Sequence, residues 1–142
     1  MNPLIRFLRT PGVIRVCRVA MGVVMLAAAL GKIGDTTAFA SQVHHYRMIP
    51  AGADNLLAMT LPWVELLAGL ALILGVRARS GAWLAAAMMV VFTLAVSQAV
   101  ARGLDIECGC FGTSDATRVG AKKLLENLAL TGVAIVAALR PR

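Results

Sequence analysis

The sequence predicts an all-α integral membrane protein, a four-transmembrane-helix bundle with a short amphipathic helix in its first outer loop. Three observations predict it. Hydrophobic residues fill 59% of the 142 positions and charged residues only 15%, where soluble domains run near half and about a quarter. The mean hydropathy is +0.79, more apolar surface than a soluble chain of this length can hide. The apolar residues also gather into runs of the roughly 20 residues that a spanning helix needs. The length suits one unit, residues 1–142, rather than two domains.

The elements follow in chain order. "NPLIRFLRT" is a short amphipathic piece, ended by Pro11-Gly12, that suits the inner membrane surface. The first span covers about 13–33 around "VAMGVVMLAAAL". "AFA", Ala38 to Ala40, resembles a signal-peptidase site, but it lies too far from the apolar core, beyond Lys32 and Asp35, so this segment is expected to remain as a span. The outer loop that follows places Phe39, Val43 and Tyr46 at helical spacing, with Asp35 or a following Thr as cap and Pro50 as stop. Such a helix lies on the bundle mouth with its apolar face down, as an anchor. The second span covers about 55–76, the third about 81–101 and the fourth about 121–139.

The loop charges give a direction. Arg6, Arg9, Arg15, Arg18, Arg77, Arg79, Arg140 and Arg142 fall on one side with no acid among them. The other side mixes Lys32, Arg47, Arg102, Arg118, Lys122 and Lys123 with Asp35, Asp54, Asp105, Glu107 and Asp115. Basic residues favour the cytoplasmic side. The sequence therefore predicts a bacterial inner-membrane protein with both termini in the cytoplasm and the two longer loops in the periplasm. Membrane topology and anionic headgroups account for the net charge of +7. Aromatic residues are few, and no basic patch of the nucleic-acid type stands out. Nucleic acid is not expected as a partner.

Two of the three cysteines stand one residue apart in "ECGCFG", just past the third span. On the predicted topology Cys108 and Cys110 face an oxidising compartment. A bridge between them would constrain almost no chain, so stability is a poor reason for it. The Cα atoms can come within bonding range only if the chain bends. Gly109 permits that bend, and Gly112 a sharp turn after Phe111. Easily opened bridges are the ones used for exchange. Arg102, Arg118, Lys122 and Lys123 can favour a thiolate there, while Glu107 opposes it. Two thiolates also suit Cu(I), Hg(II) or Zn(II), and His44 and His45 sit on the other outer loop, which gives a soft-metal binding or transport alternative. Cys17, near the inner end of the first span, reads as a small hydrophobe.

Ionisable groups inside the spans need partners. Glu65 lies near the middle of the second span, in "LPWVELLAG", where an unpaired carboxylate is costly. Pro62, one turn upstream, frees a backbone carbonyl. Lys32, Gln98 and Glu126 lie near the outer ends of their spans and are candidates to converge with Glu65 beneath the thiol loop. A structural ion pair or hydrogen bond that fixes helix packing is the alternative. A membrane quinone near Glu65 and Trp63 is the one cofactor considered.

"GKIGDTTAFASQVHHYRMIP", "LPWVELLAGLALILG" and "VFTLAVSQAVARGLDIECGCFG" resemble the MauE family of methylamine utilisation proteins, within the wider DoxX-like membrane proteins. The similarity runs from the first span to the fourth, and "PWVELLAG" with "CGCFG" is its most specific part. The positions that carry the motif are Lys32, Asp35, Phe39, Tyr46, Pro50, Pro62, Glu65, Cys108, Cys110, Phe111 and Gly112. The resemblance implies a four-helix membrane fold and a role in maturing methylamine dehydrogenase. It also implies a periplasmic thioredoxin-like partner and, as client, the disulfide-rich small subunit of that enzyme. Together these readings predict a thiol–disulfide redox or maturation protein with Cys108 and Cys110 as the exchanging pair. A non-catalytic membrane scaffold that docks a soluble factor is the third reading. No nucleotide loop, zinc-protease helix or triad spacing appears.

Overall fold

The structure is a computed structural model that describes residues 2–110 and 117–141. Six helices account for most of it: α1 (Pro3–Leu8), α2 (Pro11–Ile33), α3 (Thr36–His45), α4 (Ala53–Leu74), α5 (Ala78–Ala101) and α6 (Ala121–Ala138). The four long helices form a ring in which α2 packs on α4 and α6, and α5 packs on α4 and α6. α3 and the cysteine segment lie at one end, the thiol end. α1, the α4–α5 turn and the C-terminus of α6 lie at the other.

α2, α4 and α5 are each long and apolar enough to cross a membrane. α6 packs as a full member of the ring, but Lys122, Lys123 and Glu126 crowd its first two turns and shorten its apolar stretch. The surface composition supports membrane character. Leu30, Leu56, Met59, Trp63, Leu67, Leu74, Val91, Leu94 and Leu125 point outward and are exposed. The interior is built instead from small and flexible residues: Met21, Met25, Met89, Ala82, Ala85, Ala86, Ala134, Ala137 and Ala138. A bundle that turns its large apolar side chains outward and its small ones inward suits lipid, where close backbone approach drives helix association. Gly22 and Gly69 carry this furthest. A Cβ at Gly22 would lie 2.6 Å from Ile73 Cγ1, and one at Gly69 would lie 3.0 Å from the Gly22 carbonyl. The α2–α4 crossing thus depends on both lacking a side chain.

Local rules set the helix ends. Pro11 occupies the first turn of α2, where its missing N–H costs nothing. It starts a helix instead of stopping one, so the expected break after α1 is only a two-residue turn. Asp35 caps α3, its Oδ1 accepting from the Ala38 N–H at 2.9 Å. The apolar face of α3, Phe39, Ala40 and Val43, packs on Ala58 and Leu61 of α4, as its spacing predicts. At the far end Arg18 Nε donates to the Ala137 carbonyl at 2.9 Å and Arg79 Nε to the Ala138 carbonyl at 3.3 Å. These arginines from α2 and α5 satisfy orphan carbonyls of α6 and complement its dipole.

Candidate functional site

The site is at the thiol end. Leu104 to Cys110 leave α5 as irregular chain, and Thr117 to Gly120 return to α6. An isolated antiparallel bridge between Glu107 and Arg118 joins the two segments. Cys108 N donates to the Thr117 carbonyl and Val119 N to the Ile106 carbonyl, each at 2.9 Å. Within this frame Cys108 and Cys110 are bonded as a disulfide, with Cα atoms 5.4 Å apart. Gly109 between them has φ +66, the left-handed conformation that glycine adopts without strain. The cysteines are only 4% and 8% exposed and pack on Val96, with Val119 and Leu124 alongside. Phe111 and Gly112 lie outside the described residues.

Side chains from α3 and its C-terminus hold this segment. Tyr46 Oη donates to the Cys108 carbonyl at 2.7 Å, and burial pushes its phenol up to about 12. Gln98 Nε2 from α5 donates to the Tyr46 carbonyl at 2.9 Å. Gln42 Nε2 donates to Glu107 Oε2 at 3.4 Å. The Gln42 amide is pressed so closely on Gly109 that a Cβ there would lie 2.6 Å from Oε1. That oxygen is buried and has no hydrogen-bond partner among the described residues. Arg118 is ion-paired with Asp105, whose carboxylate raises the guanidinium pKa. Arg102 reaches the Arg47 carbonyl at 3.5 Å. Of the four cations expected to favour a thiolate, Arg118, Arg102 and Lys123, which pairs with Glu126, thus have partners other than the cysteines.

Two spaces adjoin the cysteine segment. A polar cleft of about 580 Å³ is lined by Ser41, Gln42, His45, Asp105, Glu107 and Arg118, among others. An apolar cavity of about 250 Å³ lies between α3, α4 and α5, with Cys108 and Gly109 in its wall. Gln42 belongs to both linings.

Beneath the cysteines, Lys32 and Glu65 meet. Lys32 Nζ lies 2.6 Å from Glu65 Oε1, and both side chains are 0% exposed. The ammonium also stands 5.1 Å from the Phe39 ring centre and 5.0 Å from that of Phe92, within cation–π range. The need of each buried charge for a partner predicted this meeting. Pro62 is buried on the same helix. The other two candidates do not join the pair. Glu126 is half exposed and pairs with Lys123 of its own helix at 3.4 Å, and Gln98 serves Tyr46. Trp63 is 56% exposed on the outer face of α4.

Among the described residues, no three His, Cys, Asp or Glu side chains gather as a metal-ligand set. His44 Nδ1 instead lies 3.0 Å from Asp54 Oδ2, and His45 borders the polar cleft. Sequence reasoning did not find Gln42 or Phe92, and took Tyr46 only as an anchor. One signal was available for Gln42: it sits one position before Val43, on the edge of the α3 apolar face.

Comparison with known proteins adds to this geometry. Residues 10–140 match the family model described as methylamine utilisation protein MauE. The chain is 34% identical over 133 residues to methylamine utilization protein MauE of Paracoccus denitrificans, covering 93% of this chain and 72% of that one. It is 32% identical over 123 residues to the protein of the same name from Methylophilus methylotrophus, covering 85% of this chain and 65% of that one. A third of that name, from Methylorubrum extorquens, is 33% identical over 109 residues, and the chain spans 59% of its length. No solved structure matches the chain significantly.

Proposed function

The chain belongs to the MauE family of methylamine utilisation proteins, and from that premise we propose that it is a membrane thiol–disulfide exchange protein acting in enzyme maturation. One observation carries the reading. The Cys108–Cys110 bridge closes a very small loop, held by backbone bonds between its own segment and residues 117–119 and by Tyr46 from another element. A bridge that ties together residues two apart adds little stability, yet the fold devotes a buried, hydrogen-bonded frame to it.

The chemistry is thiol exchange. A partner thiolate attacks one sulfur of the bridge, a mixed disulfide forms, and the other cysteine leaves as a thiolate. That thiolate can attack back and restore the bridge, but when the partner's second thiolate attacks the mixed disulfide first, the partner leaves with a disulfide of its own and Cys108 and Cys110 remain as the reduced dithiol. The polar cleft beside Gln42 and Glu107 gives the partner its approach. A thioredoxin-like protein in the periplasm is the partner this reading takes, with the small subunit of methylamine dehydrogenase as the final client. All four long helices span the inner membrane in this reading. Both termini lie in the cytoplasm and the cysteine loop in the periplasm, supported by the unopposed arginines at the terminal end.

Trapping tests the proposal. Cys108→Ser or Cys110→Ser in cells should accumulate a covalent, reductant-sensitive adduct with a periplasmic thiol protein. If neither variant yields one, and a double Cys→Ser variant still supports maturation, the protein is a scaffold and the exchange role fails.

A further inference from the structure

The cysteine segment separates two unlike spaces, and we propose that the apolar one binds the head ring of a membrane quinone that reoxidises the Cys108–Cys110 dithiol. This inference rests on the exchange reading, and supplies the oxidant it needs.

The cavity opens among side chains of the outer bundle surface. Val91 is 63% exposed, and Leu57, Met48 and Ile49 are exposed beside it. On the outer halves of α4 and α5 such positions face lipid, so an occupant enters from the bilayer. The inner wall is aromatic and aliphatic: Phe39, Phe92, Leu61 and Ala95. Phe39 and Phe92 put two aromatic rings in the lining, against which a planar ring can pack, and the Lys32 ammonium lies about 5 Å from both ring centres. About 250 Å³ holds one substituted ring, which leaves an isoprenoid tail in the mouth and the lipid beyond. An acyl chain needs no polar contact, but this wall contains one. Gln42 is 8% exposed, and its Oε1 has no hydrogen-bond partner among the described residues. It is an acceptor placed against Gly109, between the two cysteines, and a quinol hydroxyl is a donor that would satisfy it. Cys108 shares the same wall.

The redox step balances. The reduced pair carries two S–H groups. One thiolate adds to the quinone ring, the second attacks the first sulfur, and the S–S bond forms as the ring leaves. Two electrons and two protons pass to the quinone, whose two carbonyls become the hydroxyls of the quinol. The cleft reaches Ile106 and Glu107, the residues just before Cys108, and the apolar cavity reaches Cys108 itself, with Gln42 in both linings, so the aqueous partner approaches from one side and the quinone from the other.

The test uses full-length protein in lipid nanodiscs, in a Cys17→Ser background so that only the pair reports. The protein is reduced, freed of reductant, and mixed with decylubiquinone or a short-chain menaquinone. One equivalent of quinone should be consumed as both thiols disappear. A photoreactive azidoquinone should label peptides that contain Phe39, Leu61 or Phe92. Val91→Trp at the exposed mouth should abolish the labelling with the fold intact. Gln42→Leu should weaken quinol binding about fivefold, the loss of one neutral hydrogen bond. Thiols that stay reduced with both quinones would overturn the proposal. So would labelling elsewhere, labelling indifferent to Val91→Trp, or native mass spectra in which phospholipid occupies the protein and quinone does not displace it. No thiol partner enters this assay, so its failure leaves the trapping result standing. Failure of trapping, together with a double Cys→Ser variant that still supports maturation, would sink the exchange reading while leaving quinone reduction by the purified pair intact.

Discussion

Removing Glu65 should leave Lys32 as an uncompensated cation in a fully buried place. The structure sets the scale. Both side chains are fully buried, the contact is 2.6 Å, and Glu65 is the carboxylate paired with the ammonium. The two aromatic rings at about 5 Å hold part of the charge, each worth up to about 2 kcal/mol when desolvated. Breaking a buried pair by deleting one partner costs about 3–5 kcal/mol. Glu65→Leu should fall at the low end, because the rings remain. Lys32→Met strands a carboxylate that already has one oxygen without a partner among the described residues, and should fall at the high end. The double variant removes both charges and keeps the volume, so it should lie within about 1 kcal/mol of the parent. A double-mutant cycle by SDS titration in mixed micelles measures all three. With about 3 and about 5 kcal/mol for the singles and at most about 1 for the double, a coupling of about 7 kcal/mol is expected. Single costs below about 1 kcal/mol, or a double variant as damaged as the sum of the singles, would refute the buried pair.

Three further outcomes are expected. Tyr46 is the sole tyrosine, so absorbance near 295 nm follows it alone. Its ionisation should centre at about 12 against the ordinary 10.0, and a midpoint near the ordinary value would deny the buried hydroxyl. A raised phenol pKa favours folding while the group is neutral in both states. The contribution is complete below the unfolded value and disappears as pH climbs from 10 to about 12, so stability should fall across that window, and Tyr46→Phe should remove that part of the slope. Gly109→Ala should cost about 1–2 kcal/mol from its positive φ, while also pushing the Gln42 amide off Glu107. An SDS titration unchanged from the parent would contradict the left-handed turn. Gly69→Val forces a side chain against the Gly22 carbonyl and Leu26 and should cost about 2 kcal/mol or more, read as a lowered midpoint in the same titration, whereas the same change at Gly12, with nothing near it, should cost well under half as much.

Much of the fold was legible because its signals are local. Apolar runs placed the four long helices within three residues of their observed ends, and Asp35 with the spacing of Phe39 and Val43 placed α3. Lys32 and Glu65 were legible for a different reason: a charge inside an apolar run must find its opposite. The remainder needed three dimensions. A helix that is apolar nearly all round does not declare its rotation, so Trp63 looked like a pocket residue and faces outward. Glu126 had two available cations, and sequence cannot weigh a neighbour on its own helix against one across the bundle. Tyr46 has two ends, and its spacing revealed only the apolar one. The frame of the cysteines depends on the register between Ile106–Cys108 and Thr117–Val119, which no single stretch encodes.

A ribosome delivers α2 to the membrane before α4 exists. Until Glu65 emerges, Lys32 has no counter-ion, and at the far end of the first hydrophobic segment it would sit in lipid or be held back at the translocon. The connecting α3 is short and amphipathic, so α2 and α4 can enter together as a hairpin with their charges already matched. Paired insertion of α2 and α4 is the outcome this charge match predicts. A variant lacking either charge should show its defect first as a misinserted nascent chain, long before the mature protein is asked to do chemistry.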